Sequence, residues 1–214
     1  MIALFRRWIE QKWAEWQTKV FIRREIGSWL GFSCNRLELL ARAVDRAPTR
    51  GLVCEFGVGG GATINHLAYL LGPHRTIYGF DSFQGLPEDW RPGFPRGRYA
   101  QDAPPSVPTN VRLVRGLFAE TLPGFVHEHL EDVALLHIDC DLYSSTRTVL
   151  DALRLNIGVG SVIVFDEFFG YPGWRSGEYR AFMEFVTNEH LSFRYLGYVR
   201  GGEQVAVQIT EDRR

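Results

Sequence analysis

Two periodicities alternate along this chain. From Ile2 to about Val20 the apolar residues Ile2, Phe5, Ile9, Trp13, Trp16 and Val20 recur at steps of three and four, with Arg6, Arg7, Lys12 and Lys19 between them. That spacing predicts an amphipathic helix whose apolar stripe packs on its own domain or on a second copy; a basic, tryptophan-bearing helix also suits a membrane interface or a substrate lid. A second helix is predicted over Arg36 to Val44, with Pro48 beyond its end. From Leu52 onward the rhythm changes to short apolar runs separated by helical stretches. Strands are predicted at Leu52–Phe56, Thr76–Phe80, Val111–Val114, Val133–Ile138 and Ser161–Phe165, and helices at Thr63–Leu71 and Ser144–Leu155. Such alternation predicts an α/β fold, a mainly parallel sheet with helices on both faces. Near the end, Phe193–Val199 and Gln204–Ile209 flank Arg200-Gly201-Gly202-Glu203, which reads as a hairpin.

Composition narrows the function classes. A chain of 214 residues with 45% hydrophobic content is expected to form one domain, residues 1–50 as a helical extension and 51–214 as the core. With 24 basic and 25 acidic side chains the net charge is −1, which gives no footprint for nucleic acid and favours a small-molecule substrate. Cys34, Cys54 and Cys140 are odd in number and lack metal or redox spacing, so reduced thiols and a cytoplasmic location are expected. The apolar start before Arg6 and Arg7 is too short for a signal-peptide core, and no apolar run approaches the roughly 20 residues of a membrane span. One segment interrupts the pattern: six of the 10 prolines fall between Leu86 and Asn110. A loop of that length after the second core strand is a candidate substrate wall, with an ordered surface loop as the plain alternative.

The candidate chemistry gathers where predicted strands end. Val53-Cys54-Glu55-Phe56-Gly57-Val58-Gly59-Gly60-Gly61 delivers one acid into a glycine-rich turn of the kind that lets backbone approach a nucleotide-type cofactor. A carboxylate at Glu55 would repel a pyrophosphate but suits the ammonium and sulfonium of S-adenosylmethionine (SAM). Asp81, 24 positions after Gly57, stands where an acid can accept from both ribose hydroxyls, or simply form a turn. In His137-Ile138-Asp139-Cys140-Asp141, extended geometry would send His137, Asp139 and Asp141 to one side. Asp141 alternatively caps the helix that follows. Asp166 and Glu167 end the next apolar run, and adjacent strand ends lie about 5 Å apart, close enough to share an ion. Asp139, Asp166 and Glu167 form an all-oxygen set suited to magnesium or another hard divalent cation, unless Asp166 and Glu167 are merely solvated acids.

The segments EFGVGGGAT (55–63), FDSFQGLPEDW (80–90), LLHIDCDLYSST (135–146) and VIVFDEFFGYPGW (162–174) resemble the class I SAM-dependent methyltransferases, in particular the macrocin-type O-methyltransferases. The resemblance implies a Rossmann-like seven-stranded sheet in the order 3-2-1-4-5-7-6 with the last strand antiparallel. It also implies that Glu55, Gly57 and Gly59 hold the methionine end of SAM, that Asp81 and Ser82 bind its ribose, that Phe83 flanks the adenine, and that Thr63 belongs to the same cofactor site. Asp139, Asp166 and the following position, here Glu167 where the family pattern has Asp or Asn, would bind magnesium. The implied reaction is methyl transfer to a hydroxyl of a sugar or other natural product; Asp141 or Asp139 is the expected proton acceptor, and a homodimer is the expected assembly. An NAD-dependent oxidoreductase using the same turn and Asp81, and a non-catalytic SAM-binding protein, are the competing readings.

Overall fold

The computed structural model describes residues 2–27 and 30–213, with side chains from residue 5 onward. Helix α1 (Ile2–Phe21) runs into a π-helical turn (Ile22–Ile26), followed by β1 (Phe32–Ser33) and α2 (Arg36–Val44). The core then unfolds as β2 (Leu52–Phe56), α3 (Ala62–Leu71), β3 (Ile77–Asp81), β4 (Val111–Arg115), α4 (Phe118–Glu128), β5 (Val133–Ile138), α5 (Tyr143–Ala152), β6 (Val162–Phe165), α6 (Glu178–Asn188), β7 (Leu191–Val199) and β8 (Val205–Asp212).

The sheet order is β1-β7-β8-β6-β5-β2-β3-β4. Seven of these strands follow the expected order, and β8 alone runs antiparallel to both of its neighbours, as the hairpin reading required. The eighth is the correction: Phe32 and Ser33 pair in parallel with Tyr198 and Val199 and extend the edge at β7. Two residues carry too little periodicity to be read in advance. Two helices also went unread. At α4 the N-cap is Leu117, which has no capping side chain, and Pro123 lies inside the helix, so both usual boundary signals are missing. At α6 the N-cap is Gly177, again without a capping side chain.

Central strands are buried on both faces, so their side chains divide between two cores. Val53, Leu135, Val162 and Val164 pack with Leu39, Leu40 and Ala43 of α2 and with Ile64 and Leu67 of α3. Cys54, Phe56, Leu136, Ile138, Ile163 and Phe165 face the opposite core with Leu122, Val149, Leu150 and Phe182. The period-2 alternation of a strand produces this division.

The apolar stripe of α1 does not pack on its own domain. Ala14, Thr18 and Phe21 face inward, while Phe5, Ile9, Trp13 and Trp16 are exposed; the side chain of Ile2 lies outside the described residues. Docking is achieved by small and polar groups: Gln11 donates to the Gly170 carbonyl and Thr18 Oγ1 accepts from the Gly170 N–H. Phe21 then enters an aromatic cluster with Phe168, Phe169, Trp174, Tyr179 and Tyr195. Among the described residues no helix is long and apolar enough to cross a membrane.

The three thiols are free, Cys34 exposed and Cys54 and Cys140 buried. Burial also pushes the Cys54 thiol far up, so it carries no thiolate at neutral pH. A disulfide-exchange reagent at pH 8 is therefore expected to label one cysteine quickly in the folded protein and the other two only in denaturant. Rapid labelling of all three would contradict this packing.

Candidate active site

A cavity of about 480 Å³ opens at the C-terminal edge of the parallel strands, where ligands bind in open sheets of this kind. Its floor is the turn after β2. Gly57 has φ +93°, and a Cβ there would collide with the Asp139 carbonyl, so only glycine lets this turn cross the end of β5. Gly59 has φ +49° and nothing within 4 Å of a would-be Cβ, which leaves its backbone face open to the cavity.

Asp81 fixes the turn from the next strand. One carboxylate oxygen accepts from the Gly59 N–H at 2.8 Å and the other from the Phe83 N–H at 2.7 Å, while the residue still lines the cavity. It is thus a turn former and a wall residue at once. Ser82 also lines the cavity and accepts from the Gln84 N–H. Phe83 is placed differently from the expectation: it has φ +59° and its ring is buried in the core beside α3. The apolar cavity wall is instead supplied by Leu117, Phe118 and Ala119.

Glu55 departs most from its expected position. It is fully buried, accepts from Thr63 Oγ1 at 3.0 Å and pairs with His137 Nδ1 at 2.9 Å, so its carboxylate does not face the cavity. Register explains this, because Glu55 of β2 lies directly beside His137 of β5 on the face covered by α3. On its other side His137 Nε2 stands 3.8 Å from Asp166 Oδ1. Burial alone would favour neutral imidazole, but Asp166 and Glu55 outweigh it and raise the His137 pKa to about 10.

Asp139 and Asp166 do converge, as their strand-end positions implied. Arg36, at the start of α2, joins them: its Nη1 lies 3.3 Å from Asp166 Oδ2 and 3.6 Å from Asp139 Oδ2. His137, Asp139 and Asp166 offer ligand atoms within 4.8 Å of one another. Glu167 lies outside that cluster yet also lines the cavity, and its backbone N–H donates to the buried Glu178. Asp166 Oδ1 and Glu167 Oε2 are buried without hydrogen-bond partners. Burial, with Asp166 and other acids nearby, raises the Asp139 pKa well above the usual carboxylate range, and burial beside Asp139 and Glu178 does the same for Glu167. Asp166 is also penalised by burial, but His137 and Arg36 hold it below the ordinary value.

Asp141 breaks the extended run predicted through it. It has φ +63°, and the Leu142 N–H donates to the Cys140 carbonyl at 2.6 Å, closing a strained three-residue turn. Its carboxyl lines the cavity, and burial, partly opposed by Arg91, raises its pKa to about 7. The proline-rich segment supplies the facing wall through Leu86, Pro87, Tyr99 and Gln101, and Glu88 accepts from Ser144 Oγ at 2.6 Å, tying that loop to α5. Arg36 and the Leu117–Ala119 segment were not anticipated from the sequence.

A family model described as Macrocin-O-methyltransferase (TylF) matches residues 107–191. Demethyldecarbamoylnovobiocin O-methyltransferase of Streptomyces niveus is 28% identical over 156 residues, which are 61% of this chain and 58% of that relative's length. Among solved structures, CalS11, a calicheamicin methyltransferase, superposes with a TM-score of 0.62 at 28% identity over 80% of this chain and 76% of its own. The O-methyltransferase NovP gives the same TM-score at 22% identity, covering 89% and 88% of the two chains, and so speaks for the fold.

Removing the Glu55 charge should leave a buried imidazolium short of one partner, a change that costs about 3 kcal/mol or more in comparable buried pairs. We therefore expect urea unfolding of Glu55→Gln to show a loss of that size; an unchanged midpoint would contradict the pairing. The folded His137 pKa of about 10 exceeds the unfolded value near 6.5. Its contribution to wild-type stability should then be complete below about pH 6.5 and disappear as pH rises through about 10. Over residues 107–191 and in its fold, this chain is similar to the macrocin-type O-methyltransferases.

Proposed function

We propose that this chain is a SAM-dependent O-methyltransferase acting on a hydroxyl of a sugar-bearing natural product, assisted by a divalent cation. The observation that carries the reading is one cavity in which a glycine-lined turn and the paired carboxylates of two adjacent strand ends face each other. The relatives suggest the acceptor class: one is described as a demethyldecarbamoylnovobiocin O-methyltransferase and another as a TDP-rhamnose 3'-O-methyltransferase.

When bound, SAM supplies an electrophilic methyl group and the cation lowers the pKa of the acceptor hydroxyl. The protein's own part is positioning. Gly57 and Gly59 let backbone approach the donor, Asp81 and Ser82 offer oxygens toward its ribose, and Leu117 and Phe118 give an apolar surface for its base. Glu55 and Thr63 act from behind the turn, by fixing its geometry with His137. Asp139 and Asp166 fit a hard cation, since their carboxylates converge at the strand ends, and Glu167, outside that cluster but on the same cavity wall with a buried oxygen that makes no hydrogen bond, would add a third oxygen donor. His137, doubly protonated between two carboxylates, has no lone pair to offer and serves as their counter-charge. Asp141, with a pKa near neutrality, is the carboxylate suited to take the acceptor's proton on its side-chain oxygen. The loop from Leu86 to Gln101 forms one wall of the cavity.

Labelled SAM should transfer its methyl to a nucleotide-linked deoxysugar or a glycosylated aromatic in the presence of Mg2+. Asp139→Asn is expected to lower turnover by at least 10²-fold, within the range general-base and metal roles supply, while the circular dichroism stays native. Full turnover in that variant, or in excess chelator, would remove the metal from the account; no transfer to any hydroxyl in a broad panel would remove the activity.

A further inference from the structure

The acid cluster already holds a cation of the protein's own. A single guanidinium nitrogen of Arg36 sits between Asp139 Oδ2 and Asp166 Oδ2, at 3.6 and 3.3 Å. These are oxygens that a dication would take, so the guanidinium already occupies the carboxylate pair that would hold the metal. Two positive charges cannot share it without repulsion.

Arg36 comes from outside the segment matched by the family model. It is the first residue of α2, whose start is fixed independently of the cluster: the Asn35 side chain accepts from the Glu38 N–H at 3.0 Å, and Glu38 accepts from the Cys34 N–H at 2.7 Å. The backbone anchor is therefore firm, whereas the side chain beyond it is 43% exposed on the cavity wall. Asp166 Oδ1 and Glu167 Oε2, meanwhile, are buried without a hydrogen bond, so Arg36 satisfies the cluster only in part.

The geometry points to Arg36 as a resident counter-ion that competes with the divalent cation for Asp139 and Asp166. It holds the carboxylates together in the metal-free protein and must leave them for the metal to enter. The inference rests on the metal-assisted reading above, but it concerns affinity rather than turnover.

The test is Mn2+ titration by electron paramagnetic resonance, without donor or acceptor, on wild type, Arg36→Gln and Arg36→Lys. Arg36→Gln is expected to bind Mn2+ at least tenfold more tightly than wild type, a gain that a merely damaged fold would not produce, and Arg36→Lys to stay near wild type. Equal or weaker binding by Arg36→Gln overturns the competition while leaving the metal site standing. No binding by either protein at millimolar Mn2+ overturns the metal site and the competition together. Thermal melts provide a second readout: Arg36→Gln should melt below wild type without metal, and Mn2+ should raise its Tm by more than it raises that of wild type. Equal shifts would count against the competition.

Discussion

A line of alternating charge runs through the interior of this protein, and the site is built on it. Glu55 on β2 pairs with His137 on β5, His137 faces Asp166 at the end of β6, and Arg36 from α2 closes the line onto Asp166 and Asp139. Glu55 and His137 are fully buried, where an unpaired charge would be prohibitive, so each member requires the next. The line fixes three adjacent strand ends relative to one another and attaches the N-terminal segment to them. Without it the two aspartates would stand close together in a desolvated place with only their mutual repulsion.

That arrangement separates two tasks that the sequence presented together. Glu55 looked like the residue that meets the donor, because it leads directly into the glycine turn. Its carboxylate instead works behind the turn, holding Thr63 and His137, and the face toward the cavity is left to backbone and to Asp81. Asp141 shows the opposite case. The regular strand stops at Ile138, and a strained turn at Asp141 re-aims its carboxyl into the cavity. Strain of this kind persists where surrounding packing enforces it, and here Cys140 and Leu142 on either side are buried.

Much of the framework was legible because fully buried parallel strands read as apolar runs bounded by turn residues. β2 and β5 have the bounds read from the sequence, and β3, β4 and β6 shift by a residue at one or both ends. The acids at the ends of β5 and β6 were legible for the same reason. Other features had no local signal. The outward face of α1 could not be foreseen, since periodicity identifies an apolar stripe but not what it meets. Phe83 reads as a cofactor wall from its motif, yet its positive φ turns the ring into the core. Arg36 is 130 positions from Asp166, and nothing around it in sequence marks a partner so distant.

The central claim is that donor and acceptor chemistry share the one cavity at the ends of β2, β3, β5 and β6. A crystal structure with S-adenosylhomocysteine and Mn2+ tests it most directly. The account predicts the nucleoside along the Gly57–Gly61 turn and Asp81, with an anomalous manganese peak between Asp139 and Asp166. Nucleoside density elsewhere, or a cavity filled only by solvent at saturating ligand, would contradict it.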